Sequence, residues 1–438
     1  MNNGDRHGTC RNTTTRGLIL EAHGAAATPA DGGLPWFISV DDHVLEPPDL
    51  WTDRVPAKFR DRVPHYERRR VGITRFVDGA YVTEKDDNGP ETDVWVFGDI
   101  VKPIRRNIAS VGYDREDMDL NPIDFATMRR GVWDPVARIA DMDSNHVEAS
   151  LCFPQMLRFC GQELSEVADR ELGLLLIRAY NDWMHDTWCA TDRRRLLPLQ
   201  LVPLWDPQLA AAEIRRNAER GFHAVAFSEN PHALGFGSIH SGVWEPFFLA
   251  CAETDTTVCM HIGSSSRLEA VTPDAPPAVQ ISLTANNAMC SLTEYLFSGL
   301  LERHPRLQLA YAESQVGWIP YQLERADAVW EEHRAWNGVT MPEPPSYYYY
   351  RQVYGCFFRD FFGLRNLEKV GEDNVTFEVD YPHTDSTWPD TYDLATKMLS
   401  GLTPEQQYKV VRGNAIRMLH LDREDMGSGA APVEQRRP

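Results

Sequence analysis

Five side chains able to bind a metal stand at the ends of four apolar runs. Asp41 and His43 close Phe37-Ile38-Ser39-Val40-Asp41-Asp42-His43, and His261 closes Thr257-Val258-Cys259-Met260-His261. Glu313 closes Leu307-Gln308-Leu309-Ala310-Tyr311-Ala312-Glu313, and Asp380 closes Val375-Thr376-Phe377-Glu378-Val379-Asp380. Residues two apart on a strand point the same way, so Asp41 and His43 could grip one ion. Taken singly, each has a plainer reading. Asp41 could begin a turn with His43 merely hydrogen-bonded, and a lone His261 at a strand end is more often structural. Glu313 is harder to dismiss: it sits between an apolar strand and Ser314-Gln315-Val316-Gly317-Trp318, at a buried mouth. A carboxylate there is costly unless paired or metal-bound. Asp380 leads into Tyr381-Pro382-His383-Thr384-Asp385, where the chain turns out of the final strand. Ligands at four strand ends together favour a metal site at the carboxyl end of a parallel barrel.

The elements needed to position them are legible. Strand candidates are Phe37–Asp41, Val147–Phe153, Leu196–Leu204, Phe222–Phe227, Thr257–His261, Leu307–Glu313, Val353–Phe358 and Val375–Asp380. They are dense in apolar residues with little alternation, as in strands covered on both faces. Amphipathic segments such as Leu164–Trp188, Pro207–Arg220, Ile281–Arg303 and Gly317–His333 fall between them. The expected fold class is α/β, a (β/α)8 TIM barrel over residues 35–423. Residues 51–133 break the repeat. They are expected to form an insertion after the first strand, beside the site, with hairpin-like pieces at Val71–Thr83 and Asp93–Asp99. Residues 1–34 and 424–438 read as loose tails.

Bulk composition narrows the partners. A formal charge of -20, from 64 acids against 44 bases, disfavours nucleic acid. The basic clusters Arg68-Arg69-Arg70, Arg105-Arg106 and Arg193-Arg194-Arg195 read as solvated surface, although one of them could meet an anionic group on a substrate. Eight cysteines without a Cys-x-x-Cys pair fit a reducing cytoplasm. No run approaches a membrane span, and Glu21 ends Leu18-Ile19-Leu20 too soon for a signal-peptide core. Barrel enzymes of this kind are often oligomers, which makes a homodimer the expected assembly without any residue arguing for it.

The motifs Asp41-x-His43 with Glu46-Pro47-Pro48, Met260-His261-Ile262-Gly263, Gly317 through Arg325 and Asp380-Tyr381-Pro382-His383 resemble the amidohydrolase-related family that includes aminocarboxymuconate-semialdehyde decarboxylase. The resemblance runs from about residue 37 to 420. It implies a TIM-barrel metalloenzyme whose metal binds Asp41, His43, His261 and Asp380. The chain departs from the decarboxylase pattern where those enzymes carry a catalytic His at the end of the sixth strand; here the residue is Glu313. Within the family, Ala312-Glu313-Ser314-Gln315, Phe227-Ser228-Glu229-Asn230-Pro231 and Asp380 through Pro389 resemble the non-haem di-iron monooxygenases of platensimycin- and platencin-type diterpenoid biosynthesis.

Two mechanisms follow. Two histidines with several carboxylates suit iron or manganese better than a His-rich zinc site. The first expectation is therefore a di-iron monooxygenase of secondary metabolism. Two irons would be held by Asp41, His43, His261, Glu313 and Asp380, with His383 or Asp385 managing protons. Its partners would be dioxygen, an electron donor and a bulky apolar small-molecule substrate, diterpenoid and coenzyme A-linked. The second is a hydrolase or non-oxidative decarboxylase using one zinc or manganese, with Glu313 or His383 as general base. Inward-facing ionisable residues argue against a mere scaffold.

Overall fold

A computed structural model describes residues 33–421 apart from 78–79, 269–271 and 273. The expected tails, 1–34 but for its last two residues and 424–438, lie outside the described residues. Eight parallel strands form a (β/α)8 barrel: β1 (Phe37–Val44), β2 (Val147–Pro154), β3, β4 (Ala224–Phe227), β5 (Thr257–His261), β6 (Leu309–Ala312), β7 (Val353–Phe357) and β8 (Val375–Phe377). Strand β3 is split into Leu196–Leu197, which pairs with β2, and Leu199–Gln200, which pairs with β4. Pro198 lies between them and has no N–H to give the ladder.

The seam between first and last strands is closed by backbone bonds at the site itself. Asp380 N donates to Asp41 O at 3.0 Å, and His43 N donates to Tyr381 O at 2.6 Å. Every residue of β1 is buried. Its pairing with β2 shifts register between Ser39 and Asp42, a bulge of one residue that re-aims the following side chains.

Helices cover the outside of the barrel. Pro135–Ser144 and Pro207–Ala218 each begin with Pro behind an aspartate cap: Asp134 accepts from Ala137 N, and Asp206 from Gln208 N and Leu209 N. The long segment expected over Ile281–Arg303 is interrupted at Gly299 (φ +69°), which separates Ala285–Phe297 from Leu300–Arg303.

Residues 51–133 form a small antiparallel sheet of His65–Arg70, Glu91–Phe97 and Ile100–Pro103, with a separate hairpin of Thr74–Val77 and Ala80–Thr83. This insertion is tied to the barrel by Tyr66 Oη donating to Glu46 O (3.0 Å) and by Ser110 N donating to Pro382 O (2.8 Å).

The most consequential support beneath the site is Arg138, a fully buried arginine. It donates to Gly131 O (2.7 Å), His43 O (2.6 Å) and Cys152 Sγ (3.3 Å), and stacks on Tyr381 at 4.2 Å. Burial pushes the Asp42 carboxyl up, and the Arg138 charge opposes this. Replacing Arg138 with Leu leaves two carbonyls unpaired and Asp42 without that positive charge. We expect a loss of about 3–5 kcal/mol of stability, measured by chemical denaturation.

Candidate metal centre

Four strand ends bring candidate ligand side chains to one point. His43 Nε2 lies 3.5 Å from Asp41 Oδ1 and 3.4 Å from Asp380 Oδ1. His261 Nε2 lies 3.5 Å from Asp41 Oδ2 and 3.4 Å from Glu313 Oε2. His383 joins from the loop after β8, its Nδ1 2.9 Å from Asp380 Oδ1 and 3.9 Å from Glu313 Oε1. Asp41, His43, His261 and Asp380 have fully buried side chains, while Glu313 (15% exposed) and His383 (12%) open toward solvent. Phe159 lies flat on His261 at 3.8 Å, and His383 stacks on His43 at 3.7 Å.

The polar atoms at this point lack hydrogen-bond partners. Both carboxylate oxygens of Asp41 and of Asp380, Nε2 of His43 and Nε2 of His261 are buried and, for all their mutual proximity, form no well-aligned hydrogen bond. Candidate ligand atoms of Asp41, His43 and His261 lie within 4.8 Å of one another, as do those of His43, Asp380 and His383. Leaving so many polar atoms buried without hydrogen bonds is expensive, and a divalent cation held among them would offset that cost. The donor set suits zinc, manganese or iron.

The electrostatics agree. Burial, then Glu378, Asp380 and Glu313, push the Asp41 carboxyl well above its ordinary range. Burial, then Glu313 and Asp385, do the same for Asp380. Such a knot of like charge is what a cation relieves. Burial drives His261 down to about 4 and His43 well below its usual value, so both are neutral near pH 7. His261 Nδ1 donates to Ile262 O at 2.6 Å, which leaves the Nε2 lone pair facing the cluster.

Glu313 and Asp380 both adopt left-handed backbone, at φ +58° and +56°. This conformation is unfavourable for a residue with a Cβ, and such strain concentrates at functional sites. It turns each side chain back across the barrel mouth directly after its strand.

Buried carboxylates brace the loops that carry the ligands. Glu46 accepts from Gln155 N, Met156 N and Leu157 N at 2.9–3.2 Å, joining the ends of β1 and β2. Glu229 accepts from Gly263 N (3.0 Å), Ser265 Oγ (2.7 Å) and Asn287 Nδ2 (2.8 Å), and so holds the loop after His261. Glu378 accepts from Glu313 N at 3.0 Å and from the Cys356 thiol, and burial pushes it up to about 8.

Of the residues singled out in the sequence, the structure brings together Asp41, His43, His261, Glu313, Asp380 and His383. Asp385 stands apart: it is exposed at the rim, acted on by the charges of Glu313, His383, Arg115 and Arg359, and among the described residues it makes no ion pair with the cluster. Sequence reasoning missed Glu378. The signal was available, because Glu378 lies two residues before Asp380 at the end of one strand. The aromatic residues in ring contact with the site are Phe153 and Phe159. Tyr347–Tyr350 instead lie on the helix Pro345–Gln352 that leads into β7.

A family model described as Amidohydrolase matches residues 74–421, and the chain belongs to that family. Among curated relatives, gamma-resorcylate decarboxylase of Rhodococcus jostii (strain RHA1) is 24% identical over 311 residues, 65% of this chain and 87% of that protein. The enzyme of the same name from Rhizobium sp. (strain MTP-10005) is 23% identical over 303 residues, covering 65% and 86%.

Solved structures show the same fold. An amidohydrolase of Mycobacterium avium subsp. paratuberculosis K-10 superposes with a TM-score of 0.64 at 21% identity, covering 89% of this chain and 99% of its own. A 5-carboxyvanillate decarboxylase of Novosphingobium aromaticivorans DSM 12444, complexed with manganese and 4-hydroxy-3-methoxy-5-nitrobenzoic acid, superposes with a TM-score of 0.57 at 15% identity, covering 91% and 99%.

These relatives correct the first expectation. The curated proteins that match are decarboxylases, so the assignment as an iron-dependent monooxygenase and oxidoreductase is withdrawn, and its dioxygen, electron donor and coenzyme A-linked substrate with it. The physical reason is that a mixed imidazole–carboxylate set does not choose between redox and non-redox chemistry. No helix among the described residues is long and apolar enough to cross a membrane.

Proposed function

We propose that this protein is a divalent-metal-dependent, non-oxidative decarboxylase of a small aromatic carboxylic acid. The observation that carries the reading is the convergence of buried, unpartnered oxygens and imidazole nitrogens from Asp41, His43, His261 and Asp380. These four would hold the ion, manganese or zinc. When bound, it supplies positive charge that draws substrate oxygens in and stabilises negative charge as it develops.

Proton handling falls to Glu313 and His383. Burial alone would raise the Glu313 carboxyl, but the imidazoles of His261 and His383 outweigh it and hold it below its ordinary value. Glu313 is therefore ionised near neutral pH and open on one side. It takes a proton from an acidic or hydroxyl group of the substrate. It then returns that proton to the carbon from which CO2 departs. One C–C bond breaks, one C–H bond forms, and no oxidant is consumed. His383 takes one orientation if its Nε2–H donates to Gln155 Oε1 (3.0 Å), leaving Nδ1 toward Asp380 and Glu313 as the second station for the proton. Decarboxylases of this family were expected to place a His where Glu313 stands. Here an imidazole reaches the same corner from the β8 loop.

The test is anaerobic. Manganese-reconstituted protein, given 2,6-dihydroxybenzoate or 5-carboxyvanillate, is expected to release CO2 at the same rate with and without dioxygen, and a chelator is expected to stop it. A reaction with either acid that stops when dioxygen is removed, or that survives complete removal of metal, refutes the proposal.

A further inference from the structure

Three arginine-containing clusters stand out in an acidic chain, and the structure accounts for most of their members. Arg68 pairs with Asp93 and Asp124, Arg69 with Glu67, Arg106 with Asp119, Arg194 with Asp192 and Arg195 with Asp143. Arg105 is different. Among the described residues no carboxylate lies within ion-pair distance of its guanidinium, and its Nε is buried without a hydrogen-bond partner.

Its surroundings are built. The guanidinium carbon sits 3.8 Å from the centre of the Tyr81 ring. The Tyr81 hydroxyl accepts from Asn107 Nδ2 at 3.3 Å and lies within the electrostatic reach of Glu313 and Asp385. The Arg105 backbone is pinned by an antiparallel bridge to Pro122, with Arg106 N donating to Asn121 O at 2.9 Å. Two residues on, Asn107 O accepts from both the N–H and the hydroxyl of Thr384, each at 3.1 Å, so this segment is fastened to the loop that carries His383. The neighbouring cations Lys102 and Arg158 are both spent on Glu163. Arg105 is thus a firmly presented cation, stacked on an aromatic shelf beside the mouth of the metal centre, with no carboxylate partner among the described residues. A half-buried guanidinium gains most from a planar oxyanion.

We infer that Arg105, with Tyr81 as its shelf, forms an anion subsite that takes a carboxylate or phenolate oxygen of the substrate other than the group held at the metal cluster. The insertion therefore selects for aromatic acids carrying a second acidic group. This rests on the reading of the barrel mouth as the substrate site, but not on which reaction occurs there.

The experiment measures binding by calorimetry, using benzoate and its neutral isostere benzamide on metal-stripped full-length protein, so that neither metal affinity nor turnover enters. Wild-type protein is expected to prefer benzoate by roughly tenfold or more, the scale of one charge-assisted pair. Arg105→Gln is expected to abolish the preference, Arg105→Lys to keep part of it, and Tyr81→Leu to weaken it, with thermal unfolding confirming that each variant is folded. A preference that survives Arg105→Gln, or none in the wild type, overturns the inference. If the preference behaves as expected but the loaded enzyme releases no CO2 from any acid, the decarboxylase reading fails and the subsite stands.

Discussion

His261→Gln is expected to empty the metal centre and lower CO2 release by more than about 10³-fold, because the charge stabilisation lost amounts to several kcal/mol. The position has no second duty that would blur the result. His261 Nδ1 is committed to Ile262 O, and its Nε2 has no hydrogen-bond partner. The ring is clamped by Phe159, so its geometry is set before any ion arrives. Glutamine keeps most of the volume but cannot place a neutral nitrogen lone pair at the same point. Elemental analysis of the purified variant should show metal at background, with the fold intact by circular dichroism. Undiminished turnover in a variant without metal would mean that the cluster is not the reaction centre.

Glu313→Gln should separate holding the ion from moving the proton. Asp41, His43, His261 and Asp380 remain, so metal content is expected to stay near the wild-type level. The rate should fall by about 10²–10⁴-fold, the usual worth of a positioned acid–base group. Glutamine is nearly isosteric and bears the same left-handed backbone, so folding is not at issue. The ascending, acid-side limb of the pH–rate profile should disappear with the carboxyl. If Glu313→Gln instead loses the metal and leaves the residual rate unchanged in pH dependence, Glu313 is a ligand, and the proton traffic belongs to His383.

The barrel was legible because its strands are doubly covered, and unbroken apolar runs mark such strands without alternation. All eight appear where the runs fall. The ends were less clear: β8 stops at Phe377 and β6 at Ala312, since Glu378–Asp380 and Glu313 have already left ladder geometry to form the site. The split of β3 followed from Pro198, which was visible but was read through. At the site, Asp-x-His and the strand-end rule singled out the side chains that converge there. Glu378 was passed over because a buried carboxylate inside Val375–Asp380 looked like part of the strand. The chemistry was misjudged for a different reason. The mixture of nitrogen and oxygen donors was made to speak for a particular metal and a redox cycle, and it speaks only for a cation.

The two bends at Glu313 and Asp380 have an evolutionary consequence. Each keeps a side chain in a conformation that glycine would tolerate with less resistance. Selection for heat tolerance alone, with no demand for turnover, should therefore drift toward glycine at both positions, giving a sturdier barrel with an inert mouth. The persistence of acidic residues at such awkward bends would mark lineages in which this protein still has work to do.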